Sequence, residues 1–228
     1  MNKNLRYQIL RILAHLGGIL PAAYLGWMYF SDGLGINPVQ AATQKSGDFA
    51  IALLTSSLAC TPVNLLFGIP EVLRLRRTLG LYAFGYALGH FLLFAGVDYG
   101  FQLQFLTPVF TEKRYIIVGA TALTILISLA ATSFKWFQKK MGKSWKRLHS
   151  LVYVAGILVV IHFSWAVKGS VTGLQGDVLR PLFYILLMSF LLLVRLKPIR
   201  KWIIARRTKH DQPSKGVVAL ERELNPGR

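Results

Sequence analysis

Charged residues are scarce in this chain, at 16% of 228 residues where a soluble domain carries about 25%. Acids are scarcer still: there are nine Asp and Glu, none of them expected in the interior of an apolar run. Proton-coupled carriers rely on carboxylates inside the bilayer, so that shortage argues against one. A lone cysteine, Cys60, excludes an intrachain disulfide and a thiolate-held cluster; within an apolar run it reads as packing. Also missing are a polar linker long enough to separate two domains and any evident internal repeat. The basic N-terminus starts like a signal peptide, but its apolar stretch continues to Phe30 with no convincing small-residue cleavage site. It is expected to stay as an uncleaved first span.

What the chain has is apolar length. Hydrophobic residues make up 54% and mean hydropathy is +0.46. Six runs, near 9–30, 48–69, 79–97, 115–133, 149–167 and 178–196, can each cross about 30 Å of hydrocarbon as a helix. The expected fold is an all-α membrane protein, a six-transmembrane-helix bundle over residues 1–196 with a basic tail over 197–228. The net charge of +18 suggests nucleic acid, but its distribution argues otherwise. Threading the six spans puts 22 of the 27 Lys and Arg and four acids on one side, and five of each sign on the other. The entire surplus falls on one face, as the positive-inside rule predicts for cytoplasmic loops, and both termini share that face. The tail's Trp202, Ile203 and Ile204 suit a segment lying along the inner surface.

The stretch Lys143 to Trp165 carries His149 near its start and His162 near its end. Span three carries His90, flanked by Gly85 and Gly89 in a spacing that permits close approach of a helix or a flat ligand. An ionisable side chain within a span marks a functional site by default. Depth discriminates among the histidines. At helical rise His90 lies ~12 Å from the boundary at Asp98, and His162 ~9 Å from the one at Lys168. Imidazoles at matched depth on two helices can hold one haem iron from opposite faces, which suits electron transfer and leaves no open position. His149 is about 140° round the helix from His162 and has only Arg76 and Arg77 at its level on span three. His15 of span one is the spare imidazole on that side; contact with a quinone, a flavin or a haem propionate is the alternative for His149. Arg114 and Lys168 on one side, and Arg74, Arg77 and Arg147 on the other, are candidates to pair propionates or to snorkel.

RRTLGLYAFGYALGH, followed by TSFKWFQKKMGKSWKRLHSLVYVAGILVVIHFSW and the opening RILAHLGGILP, resembles the ferric-reductase-like transmembrane superfamily. Within it the chain is most similar to the MsrQ (YedZ) family, the haem-binding membrane subunits of the periplasmic methionine sulfoxide reductase system. The resemblance implies haem b and FMN, with electrons taken from the quinone pool or a cytoplasmic flavin reductase. They would pass to a periplasmic molybdopterin-containing methionine sulfoxide reductase subunit for protein repair, from a multi-pass protein of the bacterial inner membrane. It also implies that His90, His149 and His162 are the haem histidines. Where ferric reductases have two histidines on the third span this chain has one, and the stretch after Arg195 is expected to be too short to fold as their FAD and NADPH domain. On this reading the chain is an electron-transfer subunit of an oxidoreductase complex. The competing readings are a stand-alone metal reductase and a small transporter or scaffold without redox function.

Overall fold

A computed structural model of the chain describes residues 2–167, 169–170 and 175–211. Helix α1 (Lys3–Phe30) starts at Asn2, whose side chain accepts from the Asn4 N–H. Helix α2 (Pro38–Phe67) starts at Asn37, whose side chain accepts from the Gln40 N–H, with Pro38 preset for the first turn. It ends at Gly68, which takes the left-handed conformation (φ 70°) that closes a helix. A 3₁₀ turn (Pro70–Leu75) leads into α3 (Arg76–Leu92), whose last turns widen over Leu93–Asp98. Then follow α4 (Leu103–Glu112), α5 (Arg114–Ala131), the short α6 (Lys135–Met141) and α7 (Lys143–Ser150), and α8 (Val152–Ala166). A two-residue strand pair (Gly169–Ser170 with Gln175–Gly176) precedes α9 (Leu179–Leu193) and α10 (Lys197–Asp211).

This is a multi-pass all-α membrane protein, with one correction to the sequence reading, at the start of α2. Among the described residues, five helical segments are long and apolar enough to span. A sixth arises only if α9 and α10 are taken as one span, bent by 75°. The loop expected over 31–47 is helical from Pro38, so Asp48 sits inside α2 and not at its start; it forms an ion pair with Arg180 (3.8 Å). Much of the apolar surface faces outward, for example Ile12, Leu20, Ile117, Ile157 and Leu186. In water that surface would be a liability; here it is the face toward lipid.

The core lies between α2, α3, α5, α8 and α9, where Ile51, Leu54, Leu58, Leu126, Met188 and Leu191 are buried. Ala83 and Ala155, 1% and 0% exposed, let helices approach closely. Pro62 is buried inside α2 and has no N–H, so the carbonyl of Leu58 loses its partner one turn earlier. Arg195, just past α9, supplies the missing donor: its guanidinium donates to Leu58 O and to Tyr153 Oη of α8.

Helix α1 packs on α3 through Gly18, whose missing side chain makes room for the Tyr82 ring, while Tyr86 Oη donates to Gly18 O (2.7 Å). A methyl at Gly18 would lie 2.5 Å from that ring. Gly18→Ala is therefore expected to lower thermal stability by about 1–3 kcal/mol through overpacking. Gly17→Ala, which meets nothing within 4 Å, should be neutral or slightly stabilising in the same detergent melt. The pair Gly85 and Gly89 likewise meets nothing within 4 Å, so it brings no neighbouring helix close.

Candidate functional site

Two helical hairpins, α2–α3 and α5–α8, face each other with a histidine near the end of each second helix. His90 of α3 donates its Nδ1–H to the carbonyl of Thr43 on α2 (2.8 Å). His162 of α8 donates its Nδ1–H to the carbonyl of Tyr115 on α5 (2.7 Å). Each bond spans 47 residues, and the second hairpin repeats the first 72 residues later: Thr43 and Tyr115, Gly47 and Gly119, Leu54 and Leu126, Ala83 and Ala155, His90 and His162. The repeat that the sequence conceals is thus present in the packing.

The two rings meet, with centres 6.1 Å apart and planes at 85°. Two imidazoles facing each other across one metal ion, each with a bond of about 2.0 Å, have centres roughly 6 Å apart. With Nδ1–H given to a carbonyl, the lone pair of each ring is on Nε2, the nitrogen left to bind iron; carbonyl-bonded Nδ1 is the usual support of a metal-ligating histidine. Gly47 and Gly119 lie against the rings, where a methyl would fall 3.1 and 2.6 Å from the respective Nδ1 atoms. The donor set, its separation and the glycine cradle fit a haem iron with two axial imidazoles. No group of three or more His, Cys, Asp or Glu is placed to hold a metal by itself among the described residues.

The structure does not bring His149 to this pair. It lies at the basic end of the bundle, stacked on Trp145 (4.0 Å, 26°), with Nε2 3.0 Å from Thr132 Oγ1. The Thr132 hydroxyl donates its one proton to Ser128 O (2.7 Å), so His149 Nε2–H is the donor and its lone pair is on Nδ1. Its tautomer is the reverse of the other two. His149 lines a cleft of about 520 Å³ with Arg76, Arg77, Lys135, Trp145 and Lys146 over an apolar floor of Leu54, Leu126 and Leu129. Arg77 stands 72 residues before His149, so in the first hairpin a guanidinium takes the place that an imidazole takes in the second.

Arg114 is exposed at the start of α5, next to Tyr115. Lys168 and the tail beyond Asp211 lie outside the described residues. Arg74 packs its guanidinium on the Tyr7 ring (5.0 Å). His15 gives Nδ1 to a hydrogen bond with Tyr82 Oη (2.9 Å) and stays with α1. The sequence reading missed Thr43, Tyr115, Gly47 and Gly119. Carbonyls carry no side-chain signal, but a glycine at the same distance before each histidine could have been found by overlaying the two halves.

The family described as ferric reductase like transmembrane component matches residues 46–160. The chain is 38% identical over 180 residues to the protein-methionine-sulfoxide reductase heme-binding subunit MsrQ of Bordetella pertussis, covering 79% of this chain and 85% of that one. It is 36% identical over 205 residues to the protein of the same name from Rhodospirillum rubrum, covering 90% and 93%. With that of Xanthomonas campestris pv. campestris it shares 36% identity over 208 residues, covering 87% and 90%.

Proposed function

Because the chain belongs to the MsrQ family of ferric-reductase-like transmembrane proteins, we propose that it carries electrons across the membrane on haem b held by His90 and His162. The observation that carries this reading is the 6.1 Å approach of two rings whose Nδ1 atoms both donate to backbone carbonyls. Haem held there would supply a one-electron couple with both axial positions filled. The chain's own part is to fix both imidazoles and to exclude water. Both rings are half-buried between α2, α3, α5 and α8, and haem seated there would complete the second.

The protein sits in the bacterial inner membrane as six passes, the α9–α10 pair forming the last, with the basic end and both termini in the cytoplasm. Electrons enter at the basic end from the quinone pool or a cytoplasmic flavin reductase. The cleft of Arg77 and His149 is the site for FMN or a second prosthetic group: its cations suit a phosphate or carboxylate, its apolar floor a flat ring system, and His149 would serve it through Nδ1. Electrons leave at the opposite end, where Arg114, next to the Tyr115 that holds His162, would pair a haem propionate. There the segments 31–37 and 98–114 would dock a periplasmic molybdopterin-containing methionine sulfoxide reductase. The chain is thus a subunit of a repair enzyme, with no substrate chemistry of its own.

The test is the visible spectrum of the detergent-purified protein, oxidised and dithionite-reduced. A red preparation with a low-spin b-type spectrum is expected, whereas a colourless one from haem-replete cells rules the proposal out. His149→Ala should leave the His90–His162 spectrum in place while removing flavin or a second haem signal. Loss of the entire low-spin signal in that variant would mean the ligand assignment is wrong.

A further inference from the structure

We infer that Gly47 and Gly119 are positioning residues: each uncovers the backbone carbonyl that holds a haem-ligand histidine, and so orients the ring. This rests on the reading of His90 and His162 as axial ligands. In a helix the side chain at position i+4 lies back over the preceding turn and shields the carbonyl at position i. That carbonyl already accepts the N–H of residue i+4, and its second lone pair is open only if nothing covers it. Thr43 and Gly47 stand in this relation in α2, as do Tyr115 and Gly119 in α5, and in each case the histidine Nδ1–H takes the second lone pair. Thr43 O also accepts from Ser46 Oγ (2.8 Å), a third donor that shares the open side of this carbonyl with His90.

Glycine is a poor choice for a helix interior, where alanine is the better former. Two helices accept that cost 72 residues apart, each at the one position facing an imidazole. Gly17, Gly26, Gly85 and Gly89 meet nothing within 4 Å, while Gly18 and Gly156 make room for Tyr82 and for Leu58 and Met188, not for an imidazole. The two sites are not equally tight. A methyl at Gly119 would overlap the His162 ring at 2.6 and 2.7 Å, so the ring must turn or withdraw. At Gly47 the contacts with His90 are 3.1 and 3.3 Å, which a few tenths of an ångström relieve.

Moving the ring off its carbonyl has two consequences besides packing. An imidazole that donates Nδ1–H to a carbonyl is a more basic ligand and favours ferric iron, so weakening that bond raises the midpoint potential. The carbonyls also fix the rings at 85°, and iron between perpendicular imidazoles gives a strongly anisotropic low-spin resonance. Turning one ring shifts it.

The experiment compares Gly47→Ala, Gly119→Ala and the control Gly26→Ala in the full-length protein, reading haem per chain, the low-temperature electron paramagnetic resonance spectrum, the midpoint potential and thermal unfolding. Gly119→Ala is expected to retain haem roughly tenfold less well than the wild type. Gly47→Ala should keep its haem with a raised potential and a displaced low-spin resonance, and Gly26→Ala should match the wild type throughout. If Gly119→Ala does not accumulate, Gly47→Ala decides. Haem, potential and resonance unchanged in Gly47→Ala overturn the inference, as does loss of the fold in both variants without a spectroscopic change preceding it. A wild-type protein with no low-spin haem overturns instead the function on which the inference rests.

Discussion

His162→Ala and His90→Ala should each abolish the low-spin haem spectrum. The two imidazoles face one another across 6.1 Å, and each is locked by a bond to a carbonyl on the other helix of its hairpin, so neither can be replaced by its neighbours. With one gone the iron has one protein ligand and cannot be six-coordinate low-spin through this pair; loss of an outer partner alone costs roughly tenfold or more in retention. The site's near symmetry makes the two losses alike. His15→Ala is the control, because His15 is hydrogen-bonded to Tyr82 and takes no part in the pair. Its spectrum should be that of the wild type. Pyridine haemochrome content and the reduced-minus-oxidised difference spectrum report the result; an intact low-spin signal in either ligand variant would disprove the assignment.

A second large effect is expected far from the haem, at Arg195. Removing its guanidinium leaves the Leu58 carbonyl buried without a donor, since Pro62 cannot supply one. An orphaned buried carbonyl costs about 1–3 kcal/mol. Tyr153 loses its partner at the same time. Arg195→Met should therefore lower the unfolding midpoint clearly in detergent, although methionine keeps most of the packing. A double-mutant cycle isolates the contact between Arg195 and the proline-broken turn. In a Pro62→Ala background the new N–H at residue 62 can serve Leu58, so Arg195→Met should cost less there. The expected coupling is about 1 kcal/mol, within the range for single interhelical hydrogen bonds in membranes. Strict additivity would show that Arg195 does not serve the proline-broken turn.

The sequence reading counted Arg195 only as one more cytoplasmic charge. Its position after an apolar run is a local fact, whereas its reach to α2 follows from how α9 packs, which no local pattern encodes. A similar limit applies to α2. Asn37 and Pro38 are a helix-start signal, but the polar residues Gln40, Gln44 and Lys45 resemble a loop, and the extra turns of helix went unseen. Those turns carry Thr43 and Gly47. The end of the last apolar run was equally hidden: α9 has 15 residues, and helical structure resumes in α10 at a 75° bend. For His149 the local pattern is informative, since a spacing of 13 residues from His162 does not return to the same helix face.

Hydropathy, helical rise and the one-sided placement of Lys and Arg are properties of short stretches, and they were enough to specify a helical membrane protein with His90 and His162 at one level. Rise along an axis says how deep a side chain lies but not which neighbour it meets. Only the pairing of α2 with α3 and of α5 with α8 decided that two rings face each other, which nitrogen each presents, and that glycines open the carbonyls holding them. Those contacts join residues 47 apart on separate helices, so they exist only once the helices have packed.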